Sequence, residues 1–240
     1  MSARASWLGA GLLCLALVGC ARPATLPPTP VASEKTSAAE AEAALIQLRA
    51  HEPDSFKMVH QVMAQYQGQS HVMMGYMLGR KDGAFRVSAV AAIGPKLFDV
   101  SKVDGQWQAQ VHLKQLAERL DPRHMGRAVE RIYFTTASGP LELEQGHWVS
   151  RSPVPGEEDI DTVETWRDVA TLATVRKRFF FQGNPVLDID YTQLEPVEGH
   201  WLARQVRLVD QRGFELKVNV TDYKPGFPVP QDKLSVTPTP

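Results

Sequence analysis

Seven histidines, one same-face pair of aspartates and a cluster of methionines are the residues of this chain whose types could do chemistry. The histidines are His51, His60, His71, His112, His124, His147 and His200, and no two of them have the H-x-x-x-H spacing of a helical metal site. His60 and His71 could face each other across a hairpin, although satisfied or half-exposed histidines are the plainer expectation. Asp188 and Asp190 alternate onto one strand face, as the carboxylates of a glycosidase would, but no third acidic partner is evident in the sequence. There is no G-x-S-x-G elbow and no Gly-rich phosphate loop. Cys14 and Cys20 are the only cysteines, so the body of the chain has no disulfide framework, no thiolate zinc site and no cysteine nucleophile. No catalytic residue, no metal and no cofactor is expected.

The methionines point to binding instead. Five of the seven, Met58, Met63, Met73, Met74 and Met77, fall within twenty residues of one another. Methionine is unbranched and adaptable, so a wall lined with it can conform to chains of varied shape. Strand alternation sends the five to both faces of a hairpin, which leaves Met58, Met73 and Met77 as the candidates for lining a hydrophobic cavity. Phe179 and Phe181 share one strand face and are further candidates for lining the cavity; the basic run Arg176-Lys177-Arg178 before them is either a solvated strand entry or a contact for lipid headgroups.

These candidates need strands to position them. A capping box, Ser37-Ala38-Ala39-Glu40, opens an Ala-rich helix that runs to about Arg49. After Pro53 the apolar period becomes two, with turns near Gly68, Gly83, Gly94 and Gly105, which predicts a five-stranded antiparallel meander. Leu113, Leu116, Ala117 and Leu120 return to helical spacing. Asp121-Pro122 then opens a second helical stripe through Met125, Ala128, Val129, Ile132 and Tyr133. Strand signals resume at Leu141–Ser150, an acidic connection covers 153–161, and 162–175 is open between helix and strand. Clean alternation follows from Arg176 to Val220. The expected fold class is α+β: about ten or eleven strands in a strongly curved antiparallel sheet or half-open β-barrel, covered by an N-terminal helix and mid-chain helices.

Composition bounds the function. Lys plus Arg number 26 and Asp plus Glu 27, so no long-range field gathers nucleic acid. Residues 1–19 carry Arg4 and then an apolar run of about a dozen residues, the pattern of an export signal, too short to span a bilayer. Prolines cluster just after Cys20 and again from Pro225 to Pro240. The expected organisation is therefore a signal peptide over 1–19, a Pro-rich tether over 20–36 and a folded domain over 37–224. A Pro-rich, disordered tail is expected over 225–240.

Two resemblances add to this. Leu17-Val18-Gly19-Cys20 resembles the lipobox of bacterial lipoproteins. It implies acylation of Cys20 and, with Ala21 next, anchoring in the outer membrane of a Gram-negative bacterium, facing the periplasm. The lipobox, tether, first helix and interrupted half-barrel together resemble the LolA/LolB superfamily of outer-membrane lipoprotein localisation proteins. The stretch Phe85–Val100 is similar to the receptor's strand–loop–strand, with Ala92-Ile93-Gly94 where the receptor has Pro-Leu-Gly. Glu118–His124 and Asn184–Tyr191 are similar to segments of poorly characterised lipoproteins of that presumed fold. The resemblance implies a monomer that takes a lipid's or lipoprotein's acyl chains from a periplasmic carrier protein, with Ile93 as the membrane-contact residue. The competing expectation is an accessory lipoprotein of the same fold, its interior filled, that docks an envelope partner.

Overall fold

Alternation of apolar and polar side chains makes strands along most of the chain, with helices before, between and after them among the described residues. The computed structural model describes residues 37–66, 68–112 and 122–236. The leader, the tether with Cys20, and the helical pattern from Leu113 to Leu120 lie outside the described residues. Helix α1 (Ala38–Ala50) opens on the expected capping box, with the Glu40 amide donating to Ser37 Oγ and the Ser37 amide to the Glu40 carboxylate. A meander follows: β1 (Ser55–Tyr66), β2 (Gln69–Arg80), β3 (Phe85–Ala91), β4 (Lys96–Val103) and β5 (Gln106–Val111). Helix α2 (Pro122–Tyr133) leads to a second one of β6 (Glu142–Glu144), β7 (His147–Pro153), β8 (Thr162–Asp168), β9 (Thr174–Phe181), β10 (Asn184–Val197), β11 (His200–Asp210) and β12 (Glu215–Pro225). A short helix, α3 (Gln231–Leu234), comes last.

All twelve strands form one open antiparallel sheet in the order β5-β4-β3-β2-β1-β12-β11-β10-β9-β8-β7-β6. The α+β class holds, with more strands than expected. Gln145 and Gly146, both at positive φ, split the Leu141–Ser150 signal into two strands, and the ambiguous stretch supplies β8. Gln145 is not a residue that advertises such a turn.

The sheet is strongly curled. Glu130 of α2 pairs with Lys102 on β4, while carbonyls of the same helix accept from Lys177 on β9. Seven strand steps separate β4 from β9, about 34 Å on a flat sheet at roughly 4.8 Å per step. One helix about 10 Å across reaches both only because the sheet wraps around it. The chain leaves the sheet at edge strand β5 and re-enters at edge strand β6, so α2 lies along the trough. Its Ala128 and Ile132 pack with Phe179, Ile189 and Leu208, and its Met125 and Val129 with Phe85 and Val100. Helix α1 fills a further part with Ala41 and Leu48 against Trp148 and Leu172.

The C-terminal segment departs from the expected disordered tail. Residues 226–236 fold back over the outer face of β2 to β5, where Leu234 is fully buried with Val229 and Ala84. Arg86 donates to the carbonyls of Lys233 and Ser235, and the Val236 amide to Gln108. Proline content marks a chain that cannot continue a strand, but two well-placed apolar residues suffice to dock it. Leu234→Ala is expected to cost about 2–5 kcal/mol in urea denaturation. An unchanged midpoint would show that the tail contributes nothing to the fold.

Candidate functional site

Between α2 and the inner faces of β1 to β4 and β12 the packing is incomplete. Val62, Met73, Val87, Ala89, Phe98 and Val100 line this cavity from the sheet, and Met125, Val129, Ile132 and Tyr133 close it from the helix. The room it leaves for the centres of water-sized molecules is about 30 Å³, space for about two waters. His60 is the unusual wall residue. Its ring lies across β2 at Gly75, its register partner, where an added Cβ would stand 2.1 Å from Nε2. Only glycine gives the imidazole that seat. His60 is buried, and burial pushes its pKa down to about 4.

The expected site residues are dispersed. Met73 lines the cavity, whereas Met58 and Met77 face each other across β1 and β2 in close-packed core. Their neighbours Met63 and Met74 take the outer face. Phe179 is fully buried on β9, and Phe181, at that strand's end, is exposed. His60 and His71 do not face each other: the hairpin register sets His60 opposite Gly75 and His71 opposite Ala64. Asp188 and Asp190 hold ion pairs with Arg178 and Arg176 at 2.9 and 2.7 Å, so the same-face carboxylates are partners of the basic run. Alternation turns Lys177, between those arginines, inward. The acidic connection is tied down as well, through Glu157 and Asp159 to Arg131 of α2. No group of three metal-ligating side chains occurs among the described residues.

The β3–β4 loop carries Ile93, which is 98% exposed, the most exposed large hydrophobic side chain among the described residues. The loop beneath it is firmly held. The Ala91 amide donates to the Pro95 carbonyl, and Lys96 pairs with Asp99 at 2.7 Å. Burial alone would raise the Asp99 carboxyl, but bonds from Lys96, Ser88 and His112 outweigh it and hold the group well below the usual carboxylate range.

No protein-family model matches the sequence and no curated protein resembles it closely. Solved structures do match. A LolA superfamily protein from Nitrosomonas europaea superposes with a TM-score of 0.57 at 12% identity, covering 82% of this chain and 97% of that one. A DUF1329 family protein from Desulfovibrio piger gives 0.55 at 11% identity, over 82% of this chain and 95% of that one. The chain has the LolA/LolB-like fold.

In this LolA/LolB-like half-barrel, buried cations hold the helix in the trough. Lys177 Nζ donates to the carbonyls of Arg131 at 3.2 Å and Ile132 at 2.8 Å, and Tyr191 Oη donates to Ile132 O at 2.6 Å. The negative end of the helix dipole stands in for a carboxylate. Arg167 pins the next residues, donating to Thr136 Oγ1 and Ser150 Oγ. Neither cation was foreseen, since a lysine and an arginine at alternating positions look like surface residues until the register is known. Burial, reinforced by Arg167 and opposed by Glu52, pushes the Lys177 pKa down to about 7. In the unfolded chain the ammonium titrates near 10.5. Between those values the unfolded chain binds more protons, so this group's destabilising effect is complete below about pH 7 and fades as pH rises towards 10. The melting temperature of the wild type should therefore gain on that of Lys177→Met between pH 7 and 9. Parallel curves would mean that Lys177 keeps its charge throughout.

Proposed function

We propose that this protein is an outer-membrane lipoprotein of the periplasm, anchored through acylated Cys20, that receives acyl chains of a lipid or lipoprotein and passes them into the membrane. The observation that carries the reading is Ile93, an aliphatic side chain almost wholly in water at the tip of a firmly held loop. Water exposure of an isoleucine is unfavourable, and burying it contributes about 1.5–3 kcal/mol. That is too little to anchor a protein and enough to orient one already tethered. Lys96 is committed to Asp99, so the probe is the side chain of Ile93 itself. The apolar cavity beneath α2 supplies the second element. Acyl chains exceed its present volume, so loading requires α2 to lift from the sheet and offer its own apolar stripe, and the site needs no cofactor because differential burial drives the exchange.

The close packing of Met58 against Met77 and the small cavity favour a second reading, an accessory lipoprotein with a filled interior that docks a periplasmic partner. One set of variants separates the two. Ile93→Glu should keep its melting temperature and its co-purifying lipid while losing transfer of that lipid to liposomes. Cys20→Ala should leave the membrane fraction with its domain folded. A wild-type protein that carries no lipid by mass spectrometry and transfers none would overturn the acyl-transfer reading and leave the docking one.

A further inference from the structure

Two residues that line the apolar cavity carry a buried polar atom with no protein partner among the described residues. His60 Nδ1 and Tyr133 Oη are buried and have no hydrogen bond among the described residues, while the rest of the lining is aliphatic, aromatic, methionine or glycine. An unpaired buried polar group is costly, and a leucine at position 60 would fill the same wall without that cost. The glycine opposite His60 shows that the backbone of β2 is adapted to this ring. Both groups are neutral at pH 7: burial depresses the imidazole and raises the phenol. The lining contains no lysine or arginine, and the nearby buried cations, Lys177 and Arg167, are already engaged by α2 and the residues that follow it.

We propose that His60 is a specificity-determining residue of the acyl site, donating its ring N–H to the neutral carbonyl of an ester- or amide-linked acyl chain, with Tyr133 Oη as the second donor. The inference rests on the acyl-binding reading and narrows its ligand. A carbonyl oxygen has two lone pairs and accepts both donors, a bare hydrocarbon accepts neither, and a carboxylate would lie in this wall without a counter-cation. His60 belongs to the sheet, and Tyr133 sits at the pinned end of α2, beside the Ile132 carbonyl that Lys177 and Tyr191 hold. Both donors therefore stay in place when the opposite end of the helix lifts.

The test is displacement of the neutral dye N-phenyl-1-naphthylamine from the full-length protein by methyl myristate, tetradecane or myristate. The wild type should release dye at about tenfold lower ester than hydrocarbon, the worth of one hydrogen bond in a dry site. His60→Leu should bring that ratio close to one while its melting temperature stays level or rises. Tyr133→Phe, which keeps the ring and removes only the hydroxyl, should lower the ratio part of the way. Equal displacement by ester and hydrocarbon in the wild type, an unchanged ratio in His60→Leu, or preference for the myristate anion would each overturn the inference and leave acyl binding standing. Failure of all three compounds to displace dye, or of dye to bind, would overturn the acyl-binding reading and this one with it.

Discussion

The seam between β1 and β12 is the constraint on which the rest of the structure depends. Each meander alone would be an ordinary sheet with one apolar face to cover. Pairing the first strand with the last, from Phe56 opposite Pro225 to Gln65 opposite Glu215, makes them one surface that can curl around a helix. The chain ends of the two meanders then lie at opposite edges, and the connection between them has to cross the trough. Helix α2 occupies the interior because topology gives that connection nowhere shorter to run. Its apolar stripe covers the inner face of both halves at once.

A helix in that position ends inside the protein, where its last carbonyls would lack water. The inward-facing Lys177 and Tyr191 satisfy the Ile132 carbonyl, and Arg167 with Thr165 and Ser150 receives the chain as it leaves towards β6. The same arrangement explains why the cavity lies where it does. The end of α2 at Tyr133 is tied by polar bonds to β9 and β10, while the side towards β1 to β4 is held by apolar contact and by the ion pair of Lys102 with Glu130. The cavity lies on that side, where helix and sheet meet mainly through apolar side chains. His60 stands in that gap because Gly75 opposite leaves room for its ring.

The outer face follows a different logic. Around β2 to β5 it is covered by the returning C-terminus and by the ion cluster of Asp99 with Arg86, Lys96 and His112. This cluster ties Arg86 and Ser88 of β3 to Asp99 and Lys96 of β4, beside the connection that carries the exposed Ile93. The exposed aliphatic tip thus stands at the end of β3 and β4, two of the strands whose inner faces line the apolar cavity.

Much of this architecture is written in local pattern. The capping box at Ser37, the period-two runs of the meanders, the stripe from Met125 to Tyr133 and the turn at Gly94 all follow from neighbours a few residues apart. So does the α+β class, because a long meander with one apolar face has to bury it against the helices at hand. Register is what sequence leaves undetermined. It decided that Met58 meets Met77 in packed core while Met73 reaches the cavity, that His60 lies on Gly75 and not beside His71, and that Asp188 and Asp190 neutralise Arg178 and Arg176. It also turned Lys177 and Arg167 inward, where their charge meets helix carbonyls and hydroxyls. Whether the Pro-rich end would dock was likewise decided by surfaces more than a hundred residues away. The sequence alone determines where a strand or helix forms, since that depends on spacing within the chain. Which residues form a site depends on contacts between strands far apart in the chain, and only the folded sheet brings those together.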